Sequence, residues 1–311
     1  MHTRQADPFA HLALLYNGAA DYLAGTVPFV LDALTAGEPV AVAVPPDNLA
    51  LISGELGRDA SRVRFVNMPE AGRNPGRIIP GVLNAFAAEH AGQPVRIIGE
   101  PIWSTRSAAE YPACLQHESL INLAFAGRDS TILCPYDAGS LDPAWMVDAE
   151  RTHPKVVRAG LTWPSYRYVE PGDLIPLITA LPDAPPDAAE LVFCAGLRSV
   201  RDFVREHAAR TGQLSTHRTE EVLIAVNEVA ANSLLHAVGA STLLIWTDST
   251  YLICEVRDRG LLTDPLAGRI PPPPDSPHGR GLLLVNHLCD LVRIDSQPRG
   301  GTAVRMYFRL G

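Results

Sequence analysis

Between residues 39 and 153 the sequence changes its hydrophobic period again and again. PVAVAV (39–44), RVRFVNM (62–68), PVRIIGE (94–100) and STILCPY (130–136) are short runs that read as strands, the first of them buried. Helical stretches follow them, near 47–56, over 75–92, over 108–127 and over 141–153. Strands separated by helices are joined by crossovers, which predicts β-α-β units and a mainly parallel sheet.

The alternation stops at ITALPDAPPDAAE (178–190), which is rich in Pro, Asp and Ala and falls between two periodic regions, as a linker does. A chain of 311 residues has room for two domains. The expected division is 1–177, a linker at 178–189, and 190–311. The second half follows a different order. ELVFCAG (190–196) reads as a strand, and SVRDFVREHAARTG (199–212) as an amphipathic helix ending at Gly212. STHRTEEVLIAVNEVAANSLLHAVG (215–239) reads as a long helix opened by a Ser/Thr cap. STLLIWTD and TYLICEVRDRG form an antiparallel pair, GRGLLLVNHLCD (279–290) a short helix, and LVRIDSQ and TAVRMYFRL a hairpin across PRGG. Helices on one face of an antiparallel sheet predict a two-layer α+β domain.

Several function classes are excluded early. Net charge is −8 and no basic run interrupts it, so no direct nucleic-acid surface is expected. No run of about 18 apolar residues predicts a membrane span. The opening MHTRQADPFAHLALLY lacks the pattern of a signal peptide. Five scattered cysteines with no CxxC pair fit reduced thiols and a cytoplasmic setting. Lys155 is the only lysine among 26 basic residues, and it lies in RTHPKVV, far from any Gly-rich run. A Walker A phosphate loop needs such a run ending in Lys-Ser/Thr. That excludes a P-loop nucleotide site, and with it a lysine-dependent kinase site of the eukaryotic type.

The second half carries polar residues where a packed helix should be apolar. In AVNEVAANSLLHA (225–237), Glu228, Asn232 and His236 recur every four residues and share one helical face. Further on come Asp258-Arg259-Gly260 at a strand end, Gly279-Arg280-Gly281-Leu282 at a helix start, and Thr302 opening the last strand. An Asn oxygen is a hard ligand suited to Mg²⁺, and a Glu one turn away can accept a proton beside it. An Asp at a strand end can accept from an adenine amino group, with a following Gly letting backbone approach. Glycines opening a helix leave N–H groups free to face phosphate. The Pro-rich segment containing IPPPPDSP (270–277) has the length of a lid. Taken singly, each motif reads equally well as a cap, a turn or a plain helix start.

In this order the motifs resemble the N, G1 and G2 boxes of the GHKL (Bergerat-fold) ATPases and kinases, over about 190–311. The nearest likeness is to the anti-sigma-factor serine kinases of the actinobacterial type. The resemblance implies ATP and Mg²⁺ as cofactors, with Asn232 on the metal, Asp258 and Gly260 at adenine, and Thr302 in support. It implies Gly279, Arg280, Gly281 and Leu282 at the phosphates, Glu228 as general base, and His236 packing below the nucleotide. A histidine autokinase is not expected, because no two-helix dimerisation segment precedes the domain and His207 and His217 lie inside it. The implied partners are a STAS-type anti-sigma-factor antagonist, a sigma factor, or both; a homodimer stays open. The alternative is a catalytically weak ATP-binding module that regulates transcription by sequestering a partner.

In the first half, GEPVAVAVP, GRNPGRIIP, RIIGEPIW, EYPACLQHESLINLAF, ILCPYD and RTHP together resemble the MEDS sensory domain, over about 9–170. The resemblance implies a P-loop-ATPase-like parallel α/β core, here lacking the Walker A motif, that senses a small molecule. Glu100 falls just beyond a strand's carboxyl end, where such sheets present site residues. Cys114, His117 and Glu118 share a helical face, as metal ligands lacking a fourth partner or as ordinary buried polar groups. Arg73, Asn74 and Arg77 either bind an anion or cap a helix. Trp103, Tyr111 and Phe125 read as core.

Overall fold

The computed structural model describes residues 8–273, 275–276 and 279–311. The first seven residues, and Pro274, Pro277 and His278 of the expected lid and helix start, lie outside them. The chain packs as two units. One runs to Arg73 and resumes over Ile78–Leu174; the other combines Asn74–Arg77 with Ile175–Gly311.

In the first unit, strands and helices alternate: β1 (Ala10–Tyr16), α1 (Gly18–Ala36), β2 (Val40–Val44), α2 (Pro46–Leu56), β3 (Arg64–Asn67) and α3 (Met68–Ala71). They continue through α4 (Asn84–Glu89), β4 (Val95–Gly99), α5 (Tyr111–Ala124), β5 (Ser130–Asp137) and α6 (Pro143–Thr152). A hairpin, β6 (Lys155–Arg158) and β7 (Leu161–Pro164), closes the sheet, and α7 (Pro171–Ile178) follows. The strand order is β3-β2-β4-β5-β1-β6-β7, parallel throughout except for β7. Every residue of β2 is buried, as strands covered by helices on both faces require.

The stretch 75–92, expected to be mostly helix, is helical in three pieces: a 3-10 turn (Pro75–Arg77), a π-helical turn (Ile79–Leu83) and α4. Pro80 explains the interruption, because its ring removes a helical N–H donor. Where a phosphate loop would follow β1, the chain goes through Asn17 straight into α1. There the Asp21 carboxylate accepts from Asn17 N at 2.9 Å, placing negative charge where a phosphate would bind.

In the second unit, β8 (Ala189–Phe193) leads into α8 (Arg198–Thr211) and α9 (Thr216–His236). Ser215 caps α9 by accepting from Arg218 N. Then come β9 (Ser241–Thr247), β10 (Tyr251–Asp258), α10 (Gly281–Leu288), β11 (Leu291–Gln297) and β12 (Gly301–Arg309). The sheet is antiparallel, ordered β11-β12-β10-β9-β8. Val200, Val204, Val226 and Val229 of the helices bury against Leu243, Cys254, Val256 and Met306 of the sheet. The resulting two-layer α+β architecture is the expected one.

The other sheet face mixes apolar and charged residues, and the interdomain segment bonds to two of the charged ones. Glu255 is fully buried and pairs with Arg305 across the β10–β12 ladder. Arg305 Nη2 donates to the Pro182 carbonyl at 2.6 Å, and Arg293 Nη2 to that of Ala180 at 2.9 Å.

Candidate functional site

Helix α9 and the start of α10 lie side by side in the second unit. A Cβ built on Gly281 would stand 2.9 Å from Glu228 Oε2 and 3.5 Å from Asn232 Nδ2. The first two members of the polar row therefore face the opening turn of α10, and both are half-buried. His236, the last residue of α9, is exposed at the end of the same row.

Asp258 ends β10 opposite Thr302 of β12. Its Oδ1 accepts from Gly260 N at 2.7 Å, and its Oδ2 from the Ser233 hydroxyl at 2.5 Å. Thr302 Oγ1 donates to the Gly260 carbonyl at 3.0 Å and lies 2.8 Å from Ser296 Oγ, which accepts from Leu262 N. The Asp-x-Gly turn is thus fixed from both sides. Each carboxylate oxygen keeps a further lone pair for another donor. Gly301 has φ of +78°, and a Cβ there would meet the Asp258 carbonyl at 2.0 Å. Only glycine lets the last strand start so close to the turn. Gly279 and Arg280 are exposed before α10, Leu282 is half-buried, and Arg280 Nη2 reaches the Pro273 carbonyl at 3.3 Å. Ser233 and Ser296 are missing from the sequence-derived set. Ser233 adjoins Asn232, but only the fold reveals that it holds Asp258.

In the first unit Glu100 sits just past β4 and is buried. Asn48 Nδ2 donates to its Oε2 at 2.8 Å, and the Tyr16 hydroxyl approaches Oε1 at 3.5 Å. Burial pushes its carboxyl up to about 8, against the Asn48 and Tyr16 bonds and with the help of Asp137. At neutral pH it is therefore largely a protonated acid at the carboxyl edge of the sheet. His117 and Glu118 are both buried on α5. Cys114 does not join Glu118 in a cluster: its thiol contacts the Pro101 carbonyl at 3.6 Å. Glu118 faces His11, Cys134 and His153 instead.

Comparison with known families agrees with this division. Residues 10–154 match the family model described as MEDS: MEthanogen/methylotroph, DcmR Sensory domain. Residues 194–308 match the model of the histidine kinase-like ATPase domain. A comparison with curated proteins finds no match. A sensory domain followed by an ATPase domain makes the chain an ATP-binding signalling regulator. Among the described residues, no helix is long and apolar enough to cross a membrane.

Proposed function

We propose that this chain, a MEDS domain joined to a histidine-kinase-like ATPase domain, phosphorylates a serine or threonine of a STAS-type anti-sigma-factor antagonist. In this reading it also holds a sigma factor, acts in the cytoplasm, and is controlled by a small molecule bound in its first domain. The observation that carries the reading is the meeting of Glu228 and Asn232 at the first turn of α10. The residues fit ATP–Mg²⁺: an amide oxygen and a carboxylate flank a helix start that bears no side chain, with a fixed Asp-x-Gly turn in the same unit.

Bound ATP–Mg²⁺ supplies the phosphoryl group and the positive charge that offsets its oxygens. Asn232 would hold the metal through its side-chain oxygen. Asp258 would accept from the adenine amino group, with Gly260 leaving room and Thr302 and Ser233 keeping the carboxylate in place. The backbone N–H groups of Gly279, Arg280, Gly281 and Leu282 would meet the phosphates. Glu228 would take the proton of the incoming hydroxyl. Two of the domain's imidazoles belong to its own helices, which favours a serine acceptor over self-phosphorylation at those two positions. His207 Nδ1 is tied to the Phe203 carbonyl within α8, and His217 lies in the first turn of α9.

The test is phosphate transfer from labelled ATP to candidate antagonists. Glu228→Gln should slow transfer by roughly 10²- to 10⁴-fold, the range for a lost general base, with ATP affinity retained. If the wild type binds ATP and transfers to no partner, catalysis is refuted. Regulation unchanged in Glu228→Gln would favour the sequestering module.

A further inference from the structure

Four side chains from separated stretches meet in the core of the first unit. His11 comes from β1, Glu118 from α5, Cys134 from β5, and His153 directly follows α6. All four are buried, and their ligand-type atoms lie within 4.8 Å of one another. His11 Nε2 and His153 Nε2 each stand 3.3 Å from Glu118 Oε2. Cys134 Sγ stands 3.4 Å from His11 Nε2.

The surrounding bonds decide which ring nitrogens carry protons. His153 Nδ1 lies 2.8 Å from the Ala149 carbonyl, which can only accept, so Nδ1 bears the hydrogen. His11 Nδ1 lies 3.1 Å from Asn122 Oδ1. Asn122 Nδ2 donates to the Thr152 carbonyl at 2.8 Å, which turns its oxygen toward the imidazole. With Nδ1 bonded outward, both rings turn Nε2 into the cluster, the arrangement that outer-shell acceptors impose on metal-bound histidines. Neither oxygen of Glu118 has a hydrogen-bond partner, nor has His153 Nε2. A carboxylate buried this deeply is strongly unfavourable without a positive charge beside it.

We propose that His11, Glu118, Cys134 and His153 form a closed four-ligand Zn²⁺ site. Zinc bonds of about 2.0–2.3 Å in a tetrahedron set ligand separations of roughly 3.3–3.8 Å, and the three close contacts in the cluster fall in that range. Two imidazoles, one carboxylate and one thiolate form a borderline-soft set that suits zinc, whereas Mg²⁺ and Ca²⁺ take oxygen ligands. Binding transfers the Cys134 thiol proton to solvent. The ion with one thiolate and one carboxylate is then electrically neutral, as a dry core demands. With four protein ligands, the site is structural. It ties β1, β5, α5 and the end of α6 together.

The full chain, purified from zinc-containing medium, should carry a single zinc ion by elemental mass spectrometry. A zinc-selective chelator should lower its melting temperature, and added zinc should restore it. Cobalt in place of zinc should give ligand-field bands of a tetrahedral ion and a thiolate-to-cobalt charge-transfer band. Cys134→Ser should lose that charge-transfer band, while Cys114→Ser should keep it. A folded wild type that takes up neither zinc nor cobalt refutes the site, as does a charge-transfer band that survives Cys134→Ser. If Cys134→Ser fails to fold, the wild-type cobalt spectrum decides: absence of the thiolate band refutes the assignment.

Discussion

Glu100→Gln should change how stability depends on pH. In the folded protein the Glu100 carboxyl titrates near 8 rather than at its ordinary value of 4.5, because burial penalises the charged form. Between these values the folded state holds a proton that the unfolded state has released. Stability therefore falls as pH rises through this window, and the full contribution is present only below about pH 4.5. Each pH step costs about 1.4 kcal/mol, so the total by pH 8 is roughly 5 kcal/mol. Glutamine has the shape of the protonated acid, and its oxygen can still accept from Asn48. It removes the titration and leaves the packing. The assay is denaturant unfolding of wild type and variant from pH 5 to 9, followed by a probe in the first unit. Their difference cancels every other titrating group. The two should be nearly equal at pH 5, and the variant should be the more stable by pH 8. A difference that stays flat, or that favours the wild type as pH rises, refutes the reasoning.

Other substitutions test the second unit. Gly301→Ala combines a positive φ with a Cβ 2.0 Å from the Asp258 carbonyl, so it should cost about 1–3 kcal/mol, read as a lowered melting temperature. Gly281→Ala places a Cβ 2.9 Å from Glu228 Oε2; it should weaken ATP binding in calorimetry while the circular dichroism spectrum stays unchanged. Ser233→Ala removes the hydroxyl that donates to Asp258 and should weaken nucleotide binding by up to about tenfold, the worth of one hydrogen bond. Glu255→Ala leaves Arg305 buried without its carboxylate and should destabilise by about 3–5 kcal/mol.

The second unit was the more legible half. Its strands are bounded by tight turns, and α9 runs from a Ser cap to its end in one uninterrupted pattern. The site motifs sit at element ends, where local sequence fixes their place: Asp258 at the end of β10 and Gly281 at the start of α10. Residues 10–36 were harder. Helix α1 contains Pro28 and Gly25, both of which weaken a helical signal. Gly25 is explained only in three dimensions, since a Cβ there would stand 2.7 Å from Leu14 of β1. The surroundings of Glu118 were not legible at all. Sequence spacing offered Cys114 and His117 on its own helix, whereas its neighbours arrive from positions 11, 134 and 153 through the pairing of β1 with β5 and β6. A spacing rule finds ligands within one element; it cannot find those that sheet order assembles.

The carbonyls of Ala180 and Pro182 bear on how the ATPase half can be handled by itself. A boundary drawn from composition would trim the chain near residue 190. Such a fragment would lack both acceptors that Arg293 and Arg305 use on the back of the sheet, and would leave the Glu255–Arg305 pair without its roof. A piece beginning near Ile175 keeps that strap, and is the one in which nucleotide affinity should be measured.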